Sequence, residues 1–284
     1  MCKTSNRYFS KTLACLTLLG FSIMAVADVN DIASPTYRQD ISDKIWEENL
    51  RPGFFKDREI NAGAGQDILE IKAPYLAEDG AVVPVSIHTK IPQTSDNYIN
   101  KMHVIIDKNP LPLVGVFEFS PDAGRADLAM RVRVNDFSYI RVIAEMNNGD
   151  LYMTKSFIRS KGGCSAPPGK SVKESKKFLG KMKMQTIGDV EFGKPNLMQL
   201  KIRHPNITGM APDDRTGVYP PPYYVTDIKV NYDDKMVMKA SLTFAISQDP
   251  SFRFYFVPEK EAEMKVEILD SKDNHFNSSY LIKL

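Results

Sequence analysis

The chain has 284 residues, 43% of them hydrophobic and 25% charged, with a formal net charge of +2. That balance excludes wholesale disorder, and the length fits about two domains of ordinary size. Three cysteines are too few for a disulfide-rich scaffold or a four-cysteine zinc module.

Residues 1–27 read as a secretory signal peptide. Lys3, Arg7 and Lys11 form a basic start, Thr12 to Val26 an apolar run, and Ala25 and Ala27 place small residues at a cleavage site before Asp28. The run is shorter than the roughly 20 apolar residues that span a bilayer, which argues against a membrane anchor. Cys15 lacks the long preceding apolar run that a lipid anchor requires. Cleavage removes three cations, no acid, and both Cys2 and Cys15. The remaining 257 residues then carry a net charge of −1 and one cysteine, Cys164. No later segment is long and apolar enough to span a membrane, so the expectation is a soluble protein exported to the periplasm.

Residues 28–66 form an N-terminal extension. Ile41, Ile45 and Trp46 give partial helical spacing over Tyr37 to Glu48, Arg51-Pro52-Gly53 ends that helix, and residues 61–65 form a loop. From about residue 67 the period becomes two. Val83, Val85 and Ile87 alternate with Pro84, Ser86 and His88, and Leu128, Met130, Val132 and Val134 with Ala129, Arg131 and Arg133. Met102, Val104 and Ile106 continue the pattern, and Asn148-Gly149 between Tyr139–Glu145 and Leu151–Ile158 signals a hairpin. Residues 165–182, rich in Gly, Ser, Pro and Lys, read as a basic flexible linker. Ile228, Val230 and Tyr232 then alternate with Lys229 and Asn231, Asp233-Asp234-Lys235 is a turn, and Phe252, Phe254 and Phe256 alternate with Arg253 and Tyr255. The pattern predicts an all-β chain with two β-sandwich domains in tandem, over 67–164 and 183–284, and no parallel α/β fold.

No catalytic or metal-ligating set emerges. His88, His103, His204 and His275 lack ligand spacing, and the chain has no glycine-rich phosphate loop, no G-x-S-x-G and no H-E-x-x-H. Nothing points to nucleic acid. Cys164 carries the most information. It lies between glycines and prolines, where burial is not expected, and an exposed thiol in an oxidising compartment is a liability unless it is used. From Lys155 to Lys183 there are nine basic residues, Arg159 and Lys161 among them, and one acid, Glu174, so this stretch is +8 and the rest of the mature chain −9. Positive charge beside a thiol favours the thiolate. Lysines that merely solubilise a linker would give the same charge.

At Gly162-Gly163-Cys164 the chain resembles the SoxYZ sulfur carriers of periplasmic sulfur oxidation, with both subunits in one polypeptide. The SoxY-like part includes Ala73-Pro74, the segment Glu78–Val85, the segment Asp107–Pro112, Phe117-Glu118-Phe119 and the Gly-Gly-Cys. The SoxZ-like part includes His204-Pro205, Thr208-Gly209, Asn231-Tyr232, the segment Ala245–Pro250 and the segment Phe252–Phe256. The resemblance implies two immunoglobulin-like sandwiches and a carrier rather than an enzyme. It implies a sulfur-containing intermediate held covalently on Cys164, Gly162 and Gly163 as a mobile arm, and no other cofactor. Implied partners are SoxAX-, SoxB- and SoxCD-like enzymes. In that family the arm usually ends the chain, whereas here Ser165-Ala166-Pro167-Pro168 and a whole domain follow. The fused order resembles a quinoprotein dehydrogenase-associated subfamily, so the alternative function is that of an accessory or docking module of a quinoprotein (PQQ) dehydrogenase.

Overall fold

The computed structural model describes residues 34–166, 172–213 and 216–283. The expected leader over 1–27 and the linker residues 167–171 lie outside them. Eight strands come from the first half: β1 (Ile60–Asn61), β2 (Leu69–Lys72), β3 (Val83–Thr89), β4 (Ile99–Ile106), β5 (Leu113–Phe119), β6 (Leu128–Val132), β7 (Ser138–Met146) and β8 (Leu151–Ile158). Seven follow: β9 (Met182–Ile187), β10 (Asn196–Ile202), β11 (Val225–Tyr232), β12 (Lys235–Leu242), β13 (Ser251–Phe256), β14 (Ala262–Asp270) and β15 (His275–Ile282). The chain is thus mostly β, as the alternation predicts. Val83, Val85 and Ile87 of β3 are buried between outward residues, and Phe252, Phe254 and Phe256 of β13 likewise. Gly149 takes a φ of 92° in the β7–β8 turn. Asp233 and Asp234 take φ of 48° and 65° in the β11–β12 turn, as a tight hairpin of right-twisted strands demands.

The strands form two open sheets, and each draws on both halves of the chain. The nine-stranded sheet runs β1-β8-β7-β4-β5-β12-β11-β14-β15 and the six-stranded one β2-β3-β6-β13-β10-β9. The halves meet where β5 pairs antiparallel with β12, Phe117 opposite Ala240, and where β6 meets β13, Ala129 opposite Arg253. An unpaired strand edge is a row of unsatisfied backbone groups, and each half covers an edge of the other. The inward faces share one core: Phe117 lies 6.1 Å from Phe252 and Tyr232 5.2 Å from Phe256, ring centre to ring centre. A fully buried Phe of this kind contributes ~1.5–3 kcal/mol.

The N-terminal helix is longer than its spacing suggests. Helix α1 (Pro35–Ile45), capped by Ser34 at the Tyr37 N–H, passes through a π turn (Trp46–Leu50) into α2 (Arg51–Phe55). Pro52 does not end the run because it sits in the first turn of α2, where a missing N–H costs little. Of residues 61–65, expected as a loop, 62–64 do form a turn, while Asn61 closes β1 and Gly65 opens helix α3 (Gly65–Ile68). Trp46 and Phe55 cover Ile105 and Ile143 on the outer face of the nine-stranded sheet, which is why β4 and β7 bury residues on both faces.

Candidate functional site

Cys164 is fully buried, contrary to the exposure expected from its glycines and prolines. Lys161 and Ser165 on either side are exposed, so the chain dips into the protein only at the Gly163-Cys164 step. Backbone pairing explains the dip. The Gly162 N–H donates to Asn135 O at 2.8 Å and the Gly163 N–H to Val134 O at 3.1 Å. The Cys164 N–H donates to Asn135 Oδ1 at 3.3 Å. From the other half of the chain, Thr208 Oγ1 donates to Cys164 O at 2.7 Å. A segment of Gly and Ser can go inside once its polar backbone groups are matched.

Gly163 is required by space. A Cβ there would lie 2.0 Å from Gly80 O and 2.6 Å from Val134 O. Gly162 has a φ of 70°, which other residues rarely adopt, but open space around it.

Arg133 ties the site together. Nη1 donates to Gly163 O and Nη2 to Asn206 O, each at 3.1 Å, so one guanidinium links the arm to both halves of the molecule. Periodicity puts Arg133 on the solvent side with Arg131. In the structure β6 has ended at Val132, and Arg133 is only 6% exposed. Asn109 holds the segment in place, with Nδ2 donating to Arg133 O and Oδ1 accepting from the Asn135 N–H. Across the seam, Asn206 Nδ2 donates to Ile246 O, Asn206 Oδ1 accepts from the Val225 N–H, and His204 Nδ1 lies 2.7 Å from the same oxygen. The motif segments Asp107–Pro112 and His204-Pro205 thus brace the two walls between which the arm lies.

Burial pushes the Cys164 thiol from an ordinary 9.0 up to about 11, and the nearby Arg133 charge offsets only part of this. That corrects the expectation of a thiolate favoured by a basic surround. Arg159 and Lys161, the residues expected to supply that charge, stack on aromatic rings: Arg159 on Tyr75 and Phe137, Lys161 on Phe137 at 5.5 Å. Arg133, Asn135 and Thr208 were not legible as site residues, because Thr208 lies 44 positions from Cys164 and no local pattern links them.

The seam holds the arm by few bonds, so losing one should matter. Thr208→Val removes the donor to Cys164 O, a bond worth ~1 kcal/mol. Iodoacetamide should then modify Cys164 roughly fivefold faster, since 1.4 kcal/mol is tenfold. An unchanged rate would show that this bond does not hold the arm.

Residues 53–164 match the family model "Sulfur oxidation protein SoxY", which ends at Cys164, and residues 184–280 match "Sulphur oxidation protein SoxZ". The chain is therefore a SoxY domain and a SoxZ domain in tandem. It belongs to the SoxYZ-like sulfur carriers, in fused form, and the two domains indicate a carrier protein of sulfur oxidation. The sulfur carrier protein SoxY from Chlorobium limicola f thiosulfatophilum is 22% identical over 43% of this chain and 96% of its own, with a TM-score of 0.35. A superoxide reductase (neelaredoxin) from Ignicoccus hospitalis is 14% identical over 38% of this chain and 97% of its own, with a TM-score of 0.32. A search of characterised proteins by sequence found no match.

Proposed function

We propose that this protein carries a sulfur-containing intermediate on Cys164 Sγ and offers it to partner enzymes by releasing the Gly162-Gly163-Cys164 arm from the seam. The observation that carries this reading is the placement of Cys164. It is the last residue of the SoxY match, the one cysteine among the described residues, and buried at the meeting of the two halves. Burial with a pKa near 11 keeps the stowed sulfur protonated and inert. Release restores an ordinary thiol with two glycines ahead of it, slim enough to enter a narrow active site. Reactivity and exposure then arrive together, when a partner has engaged. Because the chain continues after Cys164, the arm works as a loop held at both ends.

Under this reading residues 1–27 are a signal peptide cut after Ala27 and the protein works in the periplasm. Its partners are SoxAX-, SoxB- and SoxCD-like enzymes. Residues 67–164 and 183–284 are immunoglobulin-like sandwiches that have merged their sheets, with 165–182 joining them. A Cys164→Ser strain tests the reading: thiosulfate oxidation should be lost while the protein accumulates normally. Oxidation at the parental rate would reject it, and a quinoprotein dehydrogenase activity that needs the protein but survives Cys164→Ser would favour the accessory role.

A further inference from the structure

The outer face of the six-stranded sheet carries a cleft of about 1050 Å³ that opens beside the arm. The described residues lining it include seven cationic and two acidic side chains. One acid, Asp249, is already paired with Arg203 at 3.1 Å. Lys183, Lys201 and Arg253 are exposed, and no salt bridge to a carboxylate is formed by any of the three among the described residues.

The register concentrates this charge. Lys183 of β9 stands directly opposite Lys201 of β10, a like-charge pair that destabilises a sheet. Lys201 faces Ser251 on its other side, and β9 is the edge strand, so no carboxylate stands in that row. A second lysine pair shows how the fold neutralises such a row elsewhere. Lys229 and Lys239 also stand opposite each other, but Glu267 flanks the first and Glu118 the second. The row in the cleft lacks that compensation, which is what a surface kept for an external anion requires.

Size and place narrow the ligand. Small-molecule pockets run about 300–1,000 Å³, and a sulfur oxyanion, a few water molecules in bulk, fills only a corner of this cleft. Phe178, Val82 and Met182 add apolar surface between the cations, which suits a polypeptide. The chain's own adjoining stretch, +8 over 155–183, cannot supply the missing negative charge. Ala166, two residues beyond Cys164, lines the same cleft, as does Arg133, which holds the arm.

We propose that this cleft docks an acidic segment of the partner protein that receives the Cys164 cargo, placing that partner beside the arm. The proposal rests on the carrier reading for the partner's purpose, but binding itself needs no thiol, so it is tested on the full chain carrying Cys164→Ser. The probe is a fluorescein-labelled glutamate-rich peptide, followed by anisotropy, with its contact lysines mapped by carbodiimide cross-linking. Lys183→Gln with Lys201→Gln should weaken binding about tenfold, and the same exchange at Lys229 and Lys239 should change it less than about twofold. Cross-links should fall on Lys183 or Lys201, and affinity should drop as salt rises. Equal weakening by the two pairs, or cross-links elsewhere, would overturn the proposal. So would tighter binding of thiosulfate than of the peptide, which assigns the cleft to a small oxyanion, or self-association lost in the Lys183/Lys201 variant, which assigns it to a second copy.

Discussion

Gly163→Ala should make Cys164 react with iodoacetamide up to ~100-fold faster at about pH 8, with little change in the melting temperature of the protein. The added methyl would sit 2.0 Å from Gly80 O and 2.6 Å from Val134 O, and both obstacles are backbone atoms with no rotamer to move to. The arm must leave the seam. Its thiol then falls from about 11 to the ordinary 9.0, which multiplies the thiolate fraction about 100-fold wherever both forms are mostly protonated. A group whose pKa is raised in the stowed state favours stowage below its ordinary pKa and loses that advantage as pH climbs through the raised one. Wild-type reactivity should therefore keep rising from about pH 9 to 11, while that of Gly163→Ala levels off near 9. Gly162→Ala is the contrast: its nearest new contact is Ser165 Oγ at 3.9 Å, so only the positive φ resists it, at ~1–2 kcal/mol. Equal, low reactivity in Gly163→Ala and wild type would mean that the seam does not confine the thiol.

The second large effect is on stability. Arg141 of β7 is 1% exposed and donates from Nε to both Asp107 oxygens at 2.9 Å. Ser42 Oγ of α1 donates to the same carboxylate at 2.7 Å, Arg141 Nη2 donates to Asp43 at 2.6 Å, and the guanidinium lies 4.8 Å from the Trp46 ring. Helix, strand and core meet on one ion pair. Asp107→Ala leaves a buried cation with the half-exposed Asp43 as its one remaining carboxylate among the described residues, which should cost ~3–5 kcal/mol. For a chain of this size the melting temperature should fall on the order of 10 °C, read by calorimetry. A fall of a degree or two would show that Asp43 and the ring suffice.

Much of this architecture was open to a reading of side-chain period. Phe252, Phe254 and Phe256 face inward as their spacing requires, and Asn148-Gly149 and Asp233-Asp234 close the hairpins they signal. The pairing of β5 with β12 was not open to it. Phe117 and Ala240 are opposite each other by tertiary fit, and alternation gives a strand its faces but not its neighbour. At the site, Cys164 was identifiable as the one cysteine outside residues 1–27, and Gly162 and Gly163 by adjacency. Its burial was hidden because composition reports what a segment's side chains prefer, whereas here Asn135, Val134 and Thr208 satisfy the backbone from afar. Arg133 misled for a related reason: the strand carrying the alternation stops one residue before it. The charge count was sound, but charge near in sequence proved not to be charge near the sulfur, since Arg159 and Lys161 turn to aromatic rings.

Whether Cys164 is the covalent seat of the cargo is tested most directly by intact-mass and peptide mass spectrometry of protein purified without reductant from cells oxidising thiosulfate. A fraction of molecules should be heavier by sulfur atoms, with or without oxygen, the increment mapping to the Cys164 peptide and disappearing on treatment with a thiol reductant. Finding Cys164 only as an unmodified thiol in such cells would contradict that role.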